Sequence, residues 1–257
     1  MSPILLARQA PDNNMQPRIK EDENEKTLLG NFPQKFLIWV LPLSIIASYF
    51  FLAIQTDLRS VIPLLVGITA FLIIILAFVS YIAKKTQIVF WSPTVIIAVA
   101  VLIRLFFLFR PPELSDDIYR YLWDGLQTLK AQNPYSAAPS DIRRHAEIYT
   151  HLFAHINHPD VITIYPPAAQ LSFAIGACFG GTILGIKALL LAVDIATCFL
   201  LLRLLSSLKL PLWRSVLYAW HPLPVIEIAS SGHIDGVGIF FFLLVIFLLL
   251  KESPSME

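Results

Sequence analysis

The sequence is poor in charge, and this shortage limits what the protein can be. Only 14% of its 257 residues are charged and 56% are hydrophobic, whereas an average soluble domain is roughly 25% charged. A soluble fold of this length cannot bury so much apolar surface, so the composition predicts a membrane protein with the lipid bilayer as a partner. The net charge of +1 provides no long-range attraction to nucleic acid, and we expect no nucleic-acid partner.

Cysteine is also scarce, and a secretion signal is missing. Cys178 and Cys198 both lie in apolar runs, so we expect no disulfide framework. Residues 1–35 are polar and of mixed charge, without the apolar stretch and cleavage site of a signal peptide. We expect residues 1–35 to form a disordered cytoplasmic tail and residues 36–257 to form one membrane domain.

Long apolar runs account for most of the remaining chain. A bilayer core about 30 Å thick needs roughly 20 helical residues to cross it. Runs of this kind lie at 36–54, 61–83, 89–109, 165–183, 185–206, 212–229 and 237–250, of which the last is short. The sequence therefore predicts an all-α, polytopic membrane protein with six to seven transmembrane helices and one long polar loop at 110–164.

Basic residues predict how the chain is oriented. Lysines and arginines precede the first run, and Lys84 and Lys85 separate the second from the third, so both places should be cytoplasmic. Loop 110–164 is then extracytoplasmic, in a multi-pass protein of the cell (inner) membrane. Arg203, Lys209 and Arg214 fit the cytoplasmic side only if 165–183 is re-entrant or interfacial. The sequence leaves open whether 165–183 is a full span.

The long loop begins with an acidic segment, S-D-D-I-Y-R-Y-L-W-D-G, at residues 115–125. Its periodicity predicts a helix over 117–130, lying on the membrane surface with its apolar face down and amphipathic interfacial helices following in the loop. The apolar face is formed by Ile118, Leu122, Leu126 and Leu129, and the polar face by Asp117, Arg120, Asp124 and Gln127.

Two interpretations of this acidic segment remain open. Ser115 or Asp116 is a natural N-cap, and Arg120 is spaced to pair with Asp116 or with Asp124. The segment is then a capped, salt-bridged surface helix. In the second interpretation one carboxylate of the Asp116–Asp117 pair serves as a general base or a metal ligand.

A second polar group interrupts the apolar run near the C-terminus, where residues 220–236 read W-H-P-L-P-V-I-E-I-A-S-S-G-H-I-D-G. A carboxylate at the bilayer centre costs roughly 2.5–3.5 kcal/mol, so Glu227 should face a cavity or a partner. Either the segment is a kinked helix with a polar exit loop, or Glu227, His233 and Asp235 line a polar chamber near the aspartate pair.

Charged residues within the apolar runs have simpler expected roles. Arg104 is placed to extend its guanidinium towards the bilayer surface. Lys187 and Asp194 are two helical turns apart, and we expect them to pair within the helix bundle.

Four motifs together carry a family resemblance: the acidic segment, N-P-Y at 133–135, Y-P-P-A-A-Q at 165–170 and the 220–236 segment. In this combination the chain resembles the polyprenyl-phosphate-mannose-dependent mannosyltransferases of the glycosyltransferase C superfamily, close to glycosyltransferase family 87, over residues 90–250.

The resemblance implies a transferase that uses a lipid-linked sugar. The donor is a polyprenyl-phosphate hexose, such as mannose, and an extracytoplasmic glycan or lipid-linked acceptor attacks its anomeric carbon with inversion. Asp116 and Asp117 are the implied catalytic residues, and in some relatives this loop also binds a divalent metal (Mg or Mn). The implied substrate-binding residues are Arg120, Tyr121, Asp124, Asn133, Tyr135, Tyr165, Glu227, His233 and Asp235.

The chain departs from this family in two ways. Relatives commonly carry glycine two residues before the N-P-Y asparagine, where this chain has Ala131, and they have more spans, so we expect the domain to be incomplete at its C-terminus. Two other functions remain open. Glu227 and the glycine hinges also fit a polytopic transporter or flippase of lipid-linked or small solutes, and the short length fits an inactive, truncated relative.

Overall fold

The computed structural model describes residues 34–86, 91–142 and 149–252, and all regular secondary structure in these ranges is helical. The all-α class is therefore confirmed for the described chain. The predicted tail at 1–35 lies outside these ranges except for its last two residues, which already belong to the first helix.

The helices follow the apolar runs, with two more in the polar loop and with the run at 212–229 divided into three short helices. In chain order they are α1 (Gln34–Ala53), α2 (Ile62–Thr86), α3 (Pro93–Leu108), α4 (Asp117–Leu129), α5 (Thr150–Phe153), α6 (Pro167–Cys178), α7 (Ile183–Ser207), α8 (Val216–Ala219), α9 (Pro222–Pro224), a π-helix (Val225–Ser230) and α10 (Asp235–Glu252). Short 3₁₀ turns lie at Arg59–Val61, Pro139–Asp141 and Leu212–Ser215.

Two described helices are long and apolar enough to cross a membrane: α2 with its preceding turn, Arg59–Lys85, and α7. The apolar parts of α1, α3 and α6 are shorter, with α3 starting only at Pro93 behind its N-cap Ser92. Helix α10 has 18 residues but carries charges at both ends. The structure thus supports a helical chain with two candidate spans and does not establish the six or seven that were predicted.

Several loops meet at one end of the helix bundle, which we call the site end. The backbone N–H of Leu58 donates to Glu113 over 2.9 Å, and Arg110 donates to the Gln55 carbonyl over 2.6 Å. Lys187, in the first turns of α7, donates to the Arg110 carbonyl over 2.8 Å. The α1–α2 turn, the α3–α4 loop and the start of α7 therefore lie together.

Helix α6 does not cross the bundle, because it has only 12 residues and is followed at once by α7, which starts at the site end. The chain reverses between them through Gly180 and Gly181, whose φ angles of 80° and 62° are ones that glycine adopts without strain. A full span over 165–183 is therefore wrong, and the re-entrant alternative agrees with the structure.

The predicted span over 212–229 is also wrong as a continuous helix. Pro222 and Pro224 lack backbone N–H groups, so an α-helix cannot run through them unbroken. The helix stops at Ala219, and His221 restarts it by accepting the Leu223 N–H with its Nδ1 over 3.2 Å. The segment then widens into the π-helix, a form that is frequent at functional sites.

The main apolar core lies between α1, α2, α3 and this broken segment. Trp220 is at its centre, 4.8 Å from the ring of Trp91, and its indole N–H donates to the Ile96 carbonyl over 3.0 Å. Tyr49 donates to the Trp220 carbonyl over 2.9 Å. A second, smaller core joins α4 to α6 and α7 at the site end.

A buried ion pair joins three parts of the bundle. Arg104 of α3 and Asp194 of α7 are fully buried, with Nε and Oδ2 2.5 Å apart. Asp194 also accepts from the Tyr218 hydroxyl over 2.6 Å, and Arg104 donates to the Ala219 carbonyl over 2.7 Å. The expected surface position of Arg104 and the expected pairing of Asp194 with Lys187 are both wrong, since Lys187 donates to main-chain carbonyls instead.

The backbone at the end of α4 bears on the glycine that the family resemblance leads us to expect at position 131. Ala131 has a φ of 58°. Alanine is strained at this angle, whereas glycine adopts it without strain. The N–H of Gln132 donates back to the Gln127 carbonyl over 3.0 Å, which closes the helix end in the usual left-handed manner. Glycine is therefore the residue that this backbone conformation favours at position 131.

Replacing Asp194 with Asn should destabilise the fold by about 3–5 kcal/mol, because Arg104 would remain buried without a counter-charge. Thermal or denaturant unfolding in detergent measures this change. The matched control is the double variant Arg104→Met with Asp194→Leu, which removes both charges and should unfold closer to the parent. An Asp194→Asn protein as stable as the parent would contradict the role given to the pair.

Candidate functional site

The two neighbouring aspartates at the start of α4 have different partners. Asp116, at the N-cap position, makes no capping hydrogen bond with its side chain and lies 3.3 Å from Arg59 of the α1–α2 turn. Asp117 accepts from the amide of Asn157 over 2.6 Å with Oδ1. Adjacent residues of a helix point about 100° apart, so these two carboxylates face separate surroundings.

The free side of Asp117 faces His233, which is far away in the sequence. Asp117 Oδ2 lies 3.9 Å from His233 Nε2, too far for a hydrogen bond, and no described group bonds that buried nitrogen. The other ring nitrogen, Nδ1, lies 2.9 Å from Glu227 Oε2. The structure thus brings the predicted residues Glu227 and His233 next to Asp117, in the chamber arrangement that the sequence left open.

This row of three side chains is partly open to solvent. The exposed fractions of the Asp117, His233 and Glu227 side chains are 34%, 24% and 41%. With Nδ1–H given to Glu227, a neutral His233 offers Nε2 as an acceptor, and a protonated ring offers it as a donor. A small polar ligand beside this row would find the partly exposed carboxylates of Asp117 and Glu227.

Gly232 allows the loop to approach α4 closely enough to make this row. Its φ is 77°, and a Cβ added there would lie 2.4 Å from Cδ1 of Ile118, which is fully buried. The glycine therefore sets the distance between the 231–235 loop and α4, and with it the position of the His233 ring.

The polar face of α4 is covered, which corrects the predicted surface helix. Arg120 pairs with Asp124 over 2.9 Å and donates to the Val161 carbonyl over 2.9 Å. Gln170 of α6 donates to Asp124 and to Thr163 over 3.1 and 2.9 Å. Arg120 thus pairs with Asp124 rather than Asp116, and both side chains are buried in a network that positions α4 on α6. A substrate-binding role for them stays a prediction.

Three tyrosines that were predicted to bind substrate, Tyr121, Tyr135 and Tyr165, form an aromatic group beside the row. Tyr121 stacks on Phe173 with ring centroids 4.4 Å apart and lies edge-on to Tyr165 at 5.0 Å. Tyr135 donates to the Tyr165 carbonyl over 2.6 Å, and Asn133 accepts from the Tyr135 N–H over 3.0 Å, so the N-P-Y and Y-P-P motifs are in contact. Burial raises the pKa of Tyr121 and of Tyr165, so both phenols stay neutral at ordinary pH.

A cavity of about 520 Å³, which we call the recess, adjoins the row. Glu227, His233 and Asp235 line its polar end, and the residues lining its apolar part include Leu223 and Ile239. Asp235 therefore shares this cavity with Glu227 and His233, as predicted. The volume lies within the roughly 300–1,000 Å³ that is usual for sites holding small ligands.

The aspartate pair does not fit the divalent metal that the family resemblance implies for some members. Asp116 is bonded to Arg59, while Asp117 is bonded to Asn157 and faces an imidazole, so the two carboxylates do not converge on one point. No group of three or more His, Cys, Asp or Glu residues in the described ranges is arranged to hold a metal ion.

Two residues of the site were missed by the sequence analysis. Arg59 lies in a short turn between apolar runs, and Asn157 lies in the long loop without a recognisable motif. The only local signal is the turn-forming sequence Asn-His-Pro-Asp, which begins at Asn157 and in which His158 has a φ of 49°.

No family model matches the sequence, and comparisons with curated proteins and with solved structures also found no match. The family resemblance therefore depends on the four motifs.

Changing Gly232 to Ala should destabilise the fold by about 1–3 kcal/mol, through the contact with Ile118 and the strained φ. Adding Ile118→Val, which removes the Cδ1 atom, should recover part of this loss. Gly238→Ala is the matched control, since its Cβ would meet nothing within 4 Å and alanine favours helices. Unfolding in detergent measures all three, and equal stability of the two single variants would contradict the close approach.

Proposed function

We propose that this chain is a membrane glycosyltransferase that transfers a hexose, most simply mannose, from a polyprenyl-phosphate donor to an extracytoplasmic glycan or lipid-linked acceptor. The observation that carries the proposal is the row formed by Asp117, His233 and Glu227. Asp117 comes from one of the four motifs, and Glu227 and His233 come from another that lies more than a hundred positions away. Glu227 and His233 also line a cavity with apolar walls.

Membrane placement is supported by where the apolar side chains lie. In the apolar window of Arg59–Lys85 only 22% of the residues are buried, whereas the core helix of a soluble protein would be mostly buried. Soluble monomers rarely expose apolar patches larger than a few hundred Å². Large exposed side chains on α1, α2 and α10 are Trp39, Leu43, Phe50, Val66, Phe71, Ile74, Phe241, Phe242 and Leu249.

The distribution of basic residues supports an extracytoplasmic site. Lys84 and Lys85 lie at the end of α2, and Lys251 lies at the end of α10, each at the end of its helix away from the site end. Under the positive-inside rule this opposite end is cytoplasmic. The row then faces the outside of the cell (inner) membrane, at the level where a lipid-linked sugar presents its head group.

In the proposed mechanism Asp117 is the general base. The acceptor hydroxyl loses its proton to Asp117 while its oxygen bonds to the anomeric carbon from the face opposite the phosphate. The bond from the anomeric carbon to the phosphate oxygen breaks, and the electron pair leaves with the polyprenyl phosphate. His233, oriented by Glu227 through Nδ1, lies 3.9 Å from Asp117 and therefore on the same side of the sugar as the acceptor, where it helps to hold Asp117 in position. Asp116 supports the loop through Arg59.

A transporter or flippase is the second candidate, and the broken segment favours it. Discontinuous helices whose polar groups line a cavity are typical of transporters, and the π-helix places Glu227 at such a cavity. A transporter has no need for the contact between Asp117 and His233, whereas a transferase uses both. Labelled donor separates the two functions, since only a transferase moves the sugar to an acceptor.

Asp117→Asn should lower sugar transfer by roughly 10²–10⁴-fold, because a positioned general base contributes about that much. Asp116→Asn, the matched control one residue away, should retain most of the activity because its carboxylate faces Arg59. The measurement uses membranes containing the protein and labelled polyprenyl-phosphate mannose. Transfer that survives in Asp117→Asn, or that is lost equally in both variants, would contradict the assignment.

A further inference from the structure

A second cavity lies on the opposite side of α4 from the Asp117 row. It measures about 560 Å³, with apolar walls that include Phe109, Leu122, Leu126 and Leu184, and with Arg110 and Lys187 as its cations. Residues of a helix are 100° apart, so Leu122 and Leu126 face roughly away from Asp117. This cationic cavity is therefore separate from the proposed catalytic recess.

Lys187 is the unusual member of the cationic cavity. It is 1% exposed, and its ammonium donates to the carbonyls of Phe107 and Arg110 over 2.7 and 2.8 Å. These bonds use two of its three N–H donors, and no described carboxylate lies within ion-pair distance of it. A buried cation that forms no ion pair is costly, so an anion bound beside Lys187 would offset part of that cost.

Arg110 makes the same cavity more favourable for an anion. Its guanidinium bonds Glu113 and the carbonyls of Ala53 and Gln55, so its own charge is balanced, but its Nε is buried with no hydrogen-bond partner among the described residues. No acidic residue lines the cavity within the described ranges. The lining thus offers one positive charge without an ion-pair partner among the described residues, and one unused donor.

The position of the cavity identifies the kind of anion. Phe109 and Leu184, at its edge, are 78% and 43% exposed, and both belong to the apolar surface at the ends of α3 and α7. The opening is therefore apolar and the interior is cationic. That combination matches an amphiphile with one negative charge, whereas a soluble anion would gain nothing from the apolar walls. The volume suits a head group with the first part of its chain.

We propose that the cationic cavity binds the phosphodiester head group of an acidic membrane phospholipid, next to but distinct from the catalytic recess. The phosphate lies against Lys187 and the Arg110 Nε, and the upper chain carbons lie against Leu122, Leu126 and Leu184. Because Tyr119, Leu122 and Leu126 of α4 line this cavity, the lipid stabilises the helix that carries Asp117 on its other face.

The test is lipid binding by the purified full chain in detergent, measured by native mass spectrometry and by thermal unfolding. Phosphatidylglycerol, phosphatidylcholine and sodium phosphate are titrated separately. Phosphatidylglycerol should bind and raise the unfolding temperature, and Lys187→Met should weaken its binding roughly tenfold or more by removing a charge-assisted contact. Lys84→Met, the matched control on the exposed end of α2, should change binding by less than about twofold.

A second variant guards against misfolding of Lys187→Met. Leu184→Trp leaves both cations in place and fills the entrance, so it should reduce phosphatidylglycerol binding while keeping the parent's unfolding temperature without lipid. The proposal is overturned if phosphatidylcholine binds equally well, if sodium phosphate alone reproduces the stabilisation, or if Leu184→Trp binds phosphatidylglycerol like the parent. None of these readouts involves sugar transfer, so they are independent of the proposed catalytic function.

Discussion

The ion pair between Arg104 and Asp194 is the constraint on which the rest of the structure depends. Two fully buried charges that lie 2.5 Å apart fix α3 against α7 at one height, since a shift of either helix would separate them. Tyr218 and the Ala219 carbonyl complete the pair, so the end of α8 is fixed to the same point. The π-helix and the 231–235 loop begin only a few residues further along the chain.

This anchor lets a segment without a regular helix bring Glu227 and His233 to the proposed site. Pro222 and Pro224 interrupt the helix, and the segment is positioned instead by Trp220 in the core and by Gly232 against α4. Helix α4 is held from the other side by the Arg120–Asp124–Gln170 network. Asp117 and His233 are thus brought within 3.9 Å of each other by two independently anchored elements.

Much of this arrangement could be predicted from local sequence. The helix at 117–130 followed from periodicity and was confirmed within one residue. The proline and glycine spacing at 220–236 indicated a break in the helix, while leaving open whether a polar exit loop or a polar chamber followed it. These signals are local, because proline geometry and helical periodicity act over a few residues. The number of spans was less predictable: hydropathy shows that 165–183 is apolar, but not that α6 stops after 12 residues and turns back at Gly180.

Long-range pairing could not be predicted. Arg104 seemed placed to reach the bilayer surface and Lys187 seemed placed to pair with Asp194, because one sequence shows neighbours on a helix and not partners on another helix. The same limit explains why Arg59 and Asn157 were missed, and why the polar face of α4 was expected to be exposed. A polar helical face indicates polar surroundings, which can be water or a buried network such as that of Arg120.

The most direct test of the account is whether residues 117 and 233 are neighbours in the folded protein. Asp117→Cys and His233→Cys, combined after changing Cys178 to Ser and Cys198 to Ala, should cross-link rapidly with a short bifunctional thiol reagent. Lys251 lies about 24 Å along α10 from Asp235, at 1.5 Å per residue. Asp117→Cys paired with Lys251→Cys should therefore not cross-link. If the first pair cross-links no faster than the second while every cysteine reacts singly, the recess does not exist and the proposed function fails with it.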